Sequence, residues 1–326
     1  MMRRHLVSLA SSVALLIGLG LAPAAQAAWP ERPVSIIVPA AAGGGTDATG
    51  RLLAKQLQDI FKQPFNVVNQ GQAGGVVGHT NIATARPDGY TLGVIYPYAQ
   101  YKLLGQADIN RDMFTPIAQY NFDPAGFHAP INTPYKTLKD ALAAIKANPS
   151  KFKIGCGGSC GGSWDIPVSG LLIDQGVDTK AINFIPSNGA AVSLQELAAG
   201  GLDFVTASAP EAKALIEAGK VQPLVVMSDD RIPAFPNIAT VKEQIGKTFE
   251  GGAWRGVAGP KGLPAEVVQA MEKALKQIYD SAEFRDAMTA RGFGMRWRPS
   301  ADFTAFLKEH EEFTARIMTA LNMVKK

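Results

Sequence analysis

The sequence predicts an α/β protein of two domains. Three observations predict it: strands that run straight into glycine loops and helices, the same order of elements twice along the chain, and a length of 326 residues, more than one core comfortably supports.

Residues 1–27 are set aside before the fold is read. Arg3, Arg4 and His5 precede an apolar run from Leu6 to Leu21 that ends in Ala25-Gln26-Ala27, the order of a secretory signal peptide cut near Ala27. Export to the periplasm is therefore expected, and Ala28 offers no cysteine for lipidation. The chain carries 32 basic and 28 acidic residues, and losing Arg3 and Arg4 with the signal leaves it near neutral. No basic run exceeds Lys325-Lys326, which argues against nucleic acid as a partner. No later stretch reaches the ~18 apolar residues of a membrane helix.

Val34 to Val38 reads as a buried strand, followed by a helix with Leu53, Leu57, Ile60 and Phe61 on one face and stopped by Gln63-Pro64. "FNVVN" is the next strand, "GQAGGVVG" from Gly71 to Gly78 a second glycine loop, and "PDGYTLGVIY" a turn and third strand. A second unit begins near Pro130. There Thr137 and Asp140 cap a helix carrying Leu138, Leu142 and Ile145. The strand and loop "FKIGCGGSCGGS", an apolar helix near Ser169–Ile173, the strand "INFIP", a helix closed by Gly200-Gly201, the strand "LDFVTAS", a helix from Pro210 and the strand "VQPLVVMS" repeat the first pattern. "AWRGVAGP" reads as an extended return to the first unit. Two amphipathic helices close the chain, one with Val268, Met271, Leu275 and Ile278, the other with Phe303, Phe306, Leu307, His310, Phe313 and Ile317; both stripes read as core packing. The expected division is 28–128 plus 254–326 as the first domain and 129–253 as the second.

A helix that starts just after Gly43-Gly44-Gly45 leaves amide hydrogens without partners, and the missing Cβ atoms let an anion come close. Three readings compete for such loops. Gly43-x-Gly45-x-x-Ala48 meets a relaxed dinucleotide fingerprint, but Asn69 stands where an acid for the ribose belongs. Gly157-Gly158-Ser159-Cys160-Gly161 is a literal G-x-S-x-G, which would make Ser159 the nucleophile of an exported hydrolase and leave only His310 as its downstream base. The third reading takes all the loops together: each follows a strand, so in an open α/β fold they gather at the carboxyl ends of strands, where ligands bind. None of these loops contains Lys or Arg, so charge is expected to be held by dipoles. Cys156 and Cys160 are expected to form a small disulfide loop in an oxidising compartment, and the scattered His79, His128 and His310 suggest no metal centre. No cofactor is expected.

The segments "WPERPVSIIVPAAAGGGTD", "NQGQAGGVVG", "ARPDGYTL", "DMFTPIA", "ANPSKFKIGCGGSCGGS", "AAGGLDF", "EAGKVQPLVV" and "AWRGVAGPKGLP" occur in the order found in tripartite tricarboxylate transporter substrate-binding proteins, the TctC or Bug family of periplasmic receptors, which the whole mature chain resembles. The resemblance implies a type II-like Venus flytrap with a ligand cleft between the domains, monomeric, not an enzyme, delivering a small carboxylate to the permease subunits of a tripartite transporter. It implies ligand contacts from Gly44, Gly45, Thr46, Asp47, Gly74 and Gly75 in the first domain. From the second it implies Gly162, Ser163, Asn188, Gly189 and Asp203. Asp47 also reads as a helix cap, and Asp203 as a strand-end acid. Departures from the family concentrate here: Ala40–Ala42 replace a common Phe and prolines, Ser187-Asn188 a Tyr-Lys, and Ile166 a His. Trp164, with Tyr96 and Tyr98, is a candidate to stack on a ligand ring or to pack the domain surface.

Overall fold

A computed structural model describes residues 29–325; the signal peptide read at 1–27 lies outside the described residues. Strand β1 (Val34–Val38) is almost wholly buried, and helix α1 (Gly45–Phe61) leaves the glycine loop with Leu53, Ala54 and Leu57 turned inward. β2 (Phe65–Asn69), α2 (Val76–Ala83), β3 (Thr91–Ile95) and the short α3 (Ala99–Leu103) complete the first pass. β4 (Phe114–Pro130) then carries the chain into the second unit. There α4 (Leu138–Ala147) begins at the expected Thr137–Asp140 capping box, followed by β5 (Lys153–Gly155), α5 (Asp165–Asp174), β6 (Asn183–Ile185), α6 (Ala190–Ala198), β7 (Phe204–Ser208), α7 (Ala209–Glu217), β8 (Val221–Val226) and α8 (Val241–Ile245). The return is β9 (Gly252–Pro260), then α9 (Ala265–Asp280), α10 (Ala282–Ala290), β10 (Met295–Pro299) and α11 (Ser300–Ala320).

The strands join in the order β2-β1-β3-β9-β4-β7-β5-β6, with β8 and β10 also paired to β4. β4 is the seam. From Phe114 to Pro124 it pairs with β9, and from Ala125 onward with β7 and β8. The change of partner thus falls between Pro124 and Ala125, where the sequence reading placed a boundary at 128/129. At the crossing the Met227 amide donates to the Ala125 carbonyl (2.7 Å), the Ala125 amide to Gly251 (2.9 Å) and the Gly251 amide to Met227 (3.1 Å). So long a strand is not legible in the sequence, because Pro116, Pro124 and Pro130 cannot donate to a ladder and ordinarily argue against one.

Each unit has its own core. One gathers Ile36, Leu53, Leu57, Tyr120, Met271 and Phe284 beneath α1, α9 and α10; the other gathers Phe127, Leu142, Ile154, Leu171 and Phe204 beneath α4 and α5. Fully burying one such side chain contributes about 1.5–3 kcal/mol. A third contact joins the units: Phe313 of α11 packs on Gly170 of α5, and Arg316 pairs with Asp174 at 3.0 Å.

Candidate functional site

Strand directions decide where the loops go. β1, β2 and β3 are parallel, β9 is antiparallel to β3 and to β4, so β4 leaves the first unit alongside the carboxyl ends of β1–β3. β7 is antiparallel to β4 and parallel to β5, and β6 is parallel to β5; the last residue of β7, Ser208, pairs with Ala125 at the crossing. The carboxyl ends of both sets of strands therefore face each other across the seam. That is where an open α/β fold binds its ligands.

In the first unit Gly44 caps α1 without any side-chain cap, and the first intrahelical bond runs from the Ala48 amide to the Gly44 carbonyl at 2.9 Å. The Gly45 and Thr46 amides stay open to an anion. Asp47 is buried and turned back into its own loop: it accepts from the Gly43 amide (2.8 Å), Asn69 Nδ2 (2.8 Å) and the Arg51 guanidinium (2.9 Å). Burial alone would push its pKa up, but those bonds from Arg51, Gly43 and Asn69 outweigh it and hold the carboxyl below its usual range. Asp47 is thus committed to holding the loop's shape. Asn69, whose side chain also reaches the Ala40 carbonyl (3.2 Å), is committed with it, which leaves no group in the ribose position of the dinucleotide reading.

The second glycine loop turns at Gly74 and Gly75, with φ of 67° and 96°. A Cβ on Gly75 would stand 1.9 Å from the Tyr96 hydroxyl, so only glycine fits there. The Tyr96 hydroxyl donates to the Pro39 carbonyl (2.6 Å) and the Tyr101 hydroxyl to the Gly74 carbonyl (2.9 Å). Tyr98 is buried against Phe114 and Trp254. Of the two readings open for Tyr96 and Tyr98, packing is what the structure shows: one ties the loops together and the other belongs to the core.

The second unit repeats the device with different chemistry. Asp165, at the start of α5, accepts from the Gly161 (2.7 Å) and Gly162 (2.9 Å) amides, so the Gly162 amide is already taken by an internal carboxylate. No cation offsets the burial of Asp165, and desolvation raises its pKa to about 7. Ser163 keeps a hydroxyl with no hydrogen bond among the described residues. Gly189 caps α6 without a side-chain cap at φ 128°, beside the exposed Asn188, and the Ser187 amide donates to the Gly158 carbonyl at 2.9 Å, which binds the two loops together. Cys156 and Cys160 are disulfide-bonded. Trp164 is half-buried, with its indole 3.2 Å from where a Gly157 Cβ would be, and packs against the second core.

Two expectations are corrected. Asp203 does not face the cleft: it precedes β7 and its carboxylate accepts from the Lys153 amide (2.8 Å) at the amino end of β5, the opposite edge of the sheet. Nor is the site free of cations. Arg255 of β9 donates through Nε to Thr46 Oγ1 at 3.1 Å and is paired with Asp123 at 2.9 Å, both side chains nearly buried. Sequence reasoning missed it because Arg255 lies 209 residues from Thr46, on the return strand and in no glycine loop. Its charge is already shared with Asp123, so it enters the site as an anchor for Thr46 with part of its field spent.

The hydrolase reading finds no geometry. α5 begins only at Asp165, so Ser159 is not on a strand-to-helix elbow, and His310 rests against Trp254 and Phe306 with ring centroids at 5.4 and 5.7 Å and no hydrogen bond to Ser159. No group of three His, Cys, Asp or Glu among the described residues could hold a metal.

Between the units lies a cavity of about 240 Å³, bordered by Pro97 after β3, Gly162 and Ser163 before α5, Gly251 and Gly252 at the crossing, and α11. Gly162 and Ser163 are the expected ligand residues on its wall; Gly44–Asp47, Gly74, Gly75, Asn188 and Gly189 lie outside it.

The model of the tripartite tricarboxylate transporter family receptor matches residues 49–323. A "UPF0065 protein in gbd 5'region" of Cupriavidus necator is 30% identical over all of this chain and 99% of its own length. A solved TctC solute-binding protein from Polaromonas, without ligand, superposes with a TM-score of 0.81 at 32% identity, covering 89% of this chain and 99% of that one. MatC from Rhodopseudomonas palustris, solved with bound malate, gives 0.67 at 26% identity over 90% of this chain and 100% of that one.

Proposed function

The chain belongs to the tripartite tricarboxylate transporter receptor family, and from that membership we propose that it is a periplasmic receptor that closes its two domains around a small carboxylate and presents it to membrane permease subunits. The observation that carries this reading is the pair of uncapped helix starts, at Gly44 before α1 and Gly189 before α6, each following a strand whose carboxyl end faces the seam. Open amides of this kind grip a carboxylate oxygen through charge-assisted bonds of about 1.5–3 kcal/mol each. Four of them supply roughly 6–12 kcal/mol, and a micromolar dissociation constant needs about 8.2. Association and domain closure consume part of that, so affinity belongs in the micromolar range. The malate held by MatC supports the same class of ligand here. The protein performs no chemical step on its ligand, and Gly44, Gly45, Thr46, Gly74, Gly75, Ser163, Asn188 and Gly189 are the residues assigned to it.

The test is calorimetric titration with dicarboxylates, tricarboxylates and aromatic acids, backed by native mass spectrometry of the freshly purified protein. A bound acid should be retained, and an excess of about a hundredfold over the dissociation constant should stabilise the fold by about 2.7 kcal/mol. No heat and no stabilisation across the whole panel would overturn the reading.

A further inference from the structure

The interdomain cavity has a composition that the carboxylate-gripping loops do not explain. Its walls are aromatic and aliphatic: Phe122 and Trp254 on the two crossing strands, Phe306 and Phe313 on α11, and Ile166 on α5. A cavity of about 150 Å³ suffices for benzene, so about 240 Å³ admits one ring with small substituents. His310 is on the wall and makes no hydrogen bond among the described residues. Burial holds its pKa at about 4, so it faces the cavity as a neutral imidazole able to donate or accept. The charged groups nearby do not invite a second anion: Arg298 is engaged by Glu250 (3.0 Å) and Gln119 (2.8 Å), and Glu309 is exposed on the rim. At the other end Ser163 offers a free hydroxyl, while the neighbouring Gly161 and Gly162 amides are engaged by Asp165.

We propose that this cavity binds a single aromatic ring carrying a neutral hydrogen-bonding substituent, with His310 as the polar contact for that substituent and Ser163 beside the ring's acidic end. The inference rests on the receptor reading and names the body of the captured acid: a ring-bearing monocarboxylate of the hydroxybenzoate class. Ring-on-ring contacts with Phe306 and Phe313 favour it over an aliphatic acid of equal size.

The experiment titrates the protein with 4-hydroxybenzoate, benzoate, succinate, citrate and the neutral 4-hydroxybenzyl alcohol, following heat and the imidazole NMR signals of His79, His128 and His310. 4-Hydroxybenzoate should bind about tenfold more tightly than benzoate, the worth of one hydrogen bond, and shift His310 while leaving the core residue His128 unmoved. His310→Leu should erase that tenfold difference; should the variant fail to fold, the NMR shifts of the unmutated protein decide alone. Binding of succinate or citrate with no ring compound bound and His310 unmoved overturns this inference and leaves the receptor reading intact. If no acid binds but the neutral alcohol moves His310, the receptor reading falls and the ring site stands. Silence from every probe overturns both.

Discussion

The loops that open α1 and α5 are built to one plan and stabilised by opposite means. In each, an aspartate at the helix start accepts the amide of a glycine four positions earlier, Gly43 to Asp47 and Gly161 to Asp165. The first aspartate sits among Arg51 and Asn69 and is held ionised; the second has backbone amides and no cation, and the same loop carries a disulfide in compensation. A folded glycine loop needs a clamp, and beyond the shared aspartate the first loop adds an ion pair and the second a covalent link. The two differ in their response to pH, reductant or substitution.

The largest effect should come from Gly75→Ala, which forces a Cβ into the Tyr96 hydroxyl and an alanine into a left-handed turn. Loss of about 3–5 kcal/mol of stability, read by urea unfolding, together with loss of carboxylate binding, is expected. Gly74→Ala, with the same handedness and open space around its Cβ, should cost only about 1 kcal/mol. Next, Asp47→Ala removes the clamp of the first loop, leaves the Gly43 amide unpaired and takes one bond from Asn69, which keeps its bonds to Ala40 and Arg51; a loss of about 2–3 kcal/mol is expected. A loss under about 0.5 kcal/mol would mean that the clamp is decorative. Third, Cys156→Ser with Cys160→Ser, or reductant, should cost about 2 kcal/mol by the chain-entropy relation for so short a loop. That would lower the melting temperature by a few degrees and leave the first loop's ligand contacts unaltered.

The smallest effect separates the two aspartates by pH. Asp165 has a folded pKa raised from 3.8 to about 7, so between those values the folded state holds a proton that the unfolded chain has released. Its contribution therefore weakens as pH rises from about 4 to about 7. The stability difference between the parent protein and Asp165→Asn should shrink over that window, with a slope of at most about 1.4 kcal/mol per pH unit. Asp47, whose pKa is lowered, contributes in the opposite sense: its stabilisation is present above the unfolded value and is lost as the solution is acidified through the folded one. Unfolding curves of the parent protein, Asp47→Asn and Asp165→Asn from pH 7 down to pH 3 test the contrast: the Asp165 difference should change between pH 7 and about 4, the Asp47 difference should stay level there and fall only below 3.8, and parallel behaviour of the two would break it.

Much of this was legible from residues close together in sequence. Thr137 with Asp140, the three glycines before α1 and the apolar spacing of α9 and α11 announce their structures because the interactions that form them are local. What stayed hidden depends on residues far apart. Arg255 reaching Thr46, Tyr96 and Tyr101 tying down Gly74, and β4 continuing through three prolines are consequences of how distant segments meet. Asp203 shows the converse. A residue carried over by likeness of motif was assigned to the cleft although it precedes its strand, and the rule that ligands gather at carboxyl ends already put it on the far edge.

The two crossing strands alone would let the domains swivel as well as hinge. α11 adds a tether from outside the sheet, gripping α5 through Phe313 on Gly170 and Arg316 on Asp174. Three points of attachment that do not lie on one line hold a body against swing and twist alike, so the halves should part only once α11 lets go of α5, like a door that is latched as well as hung.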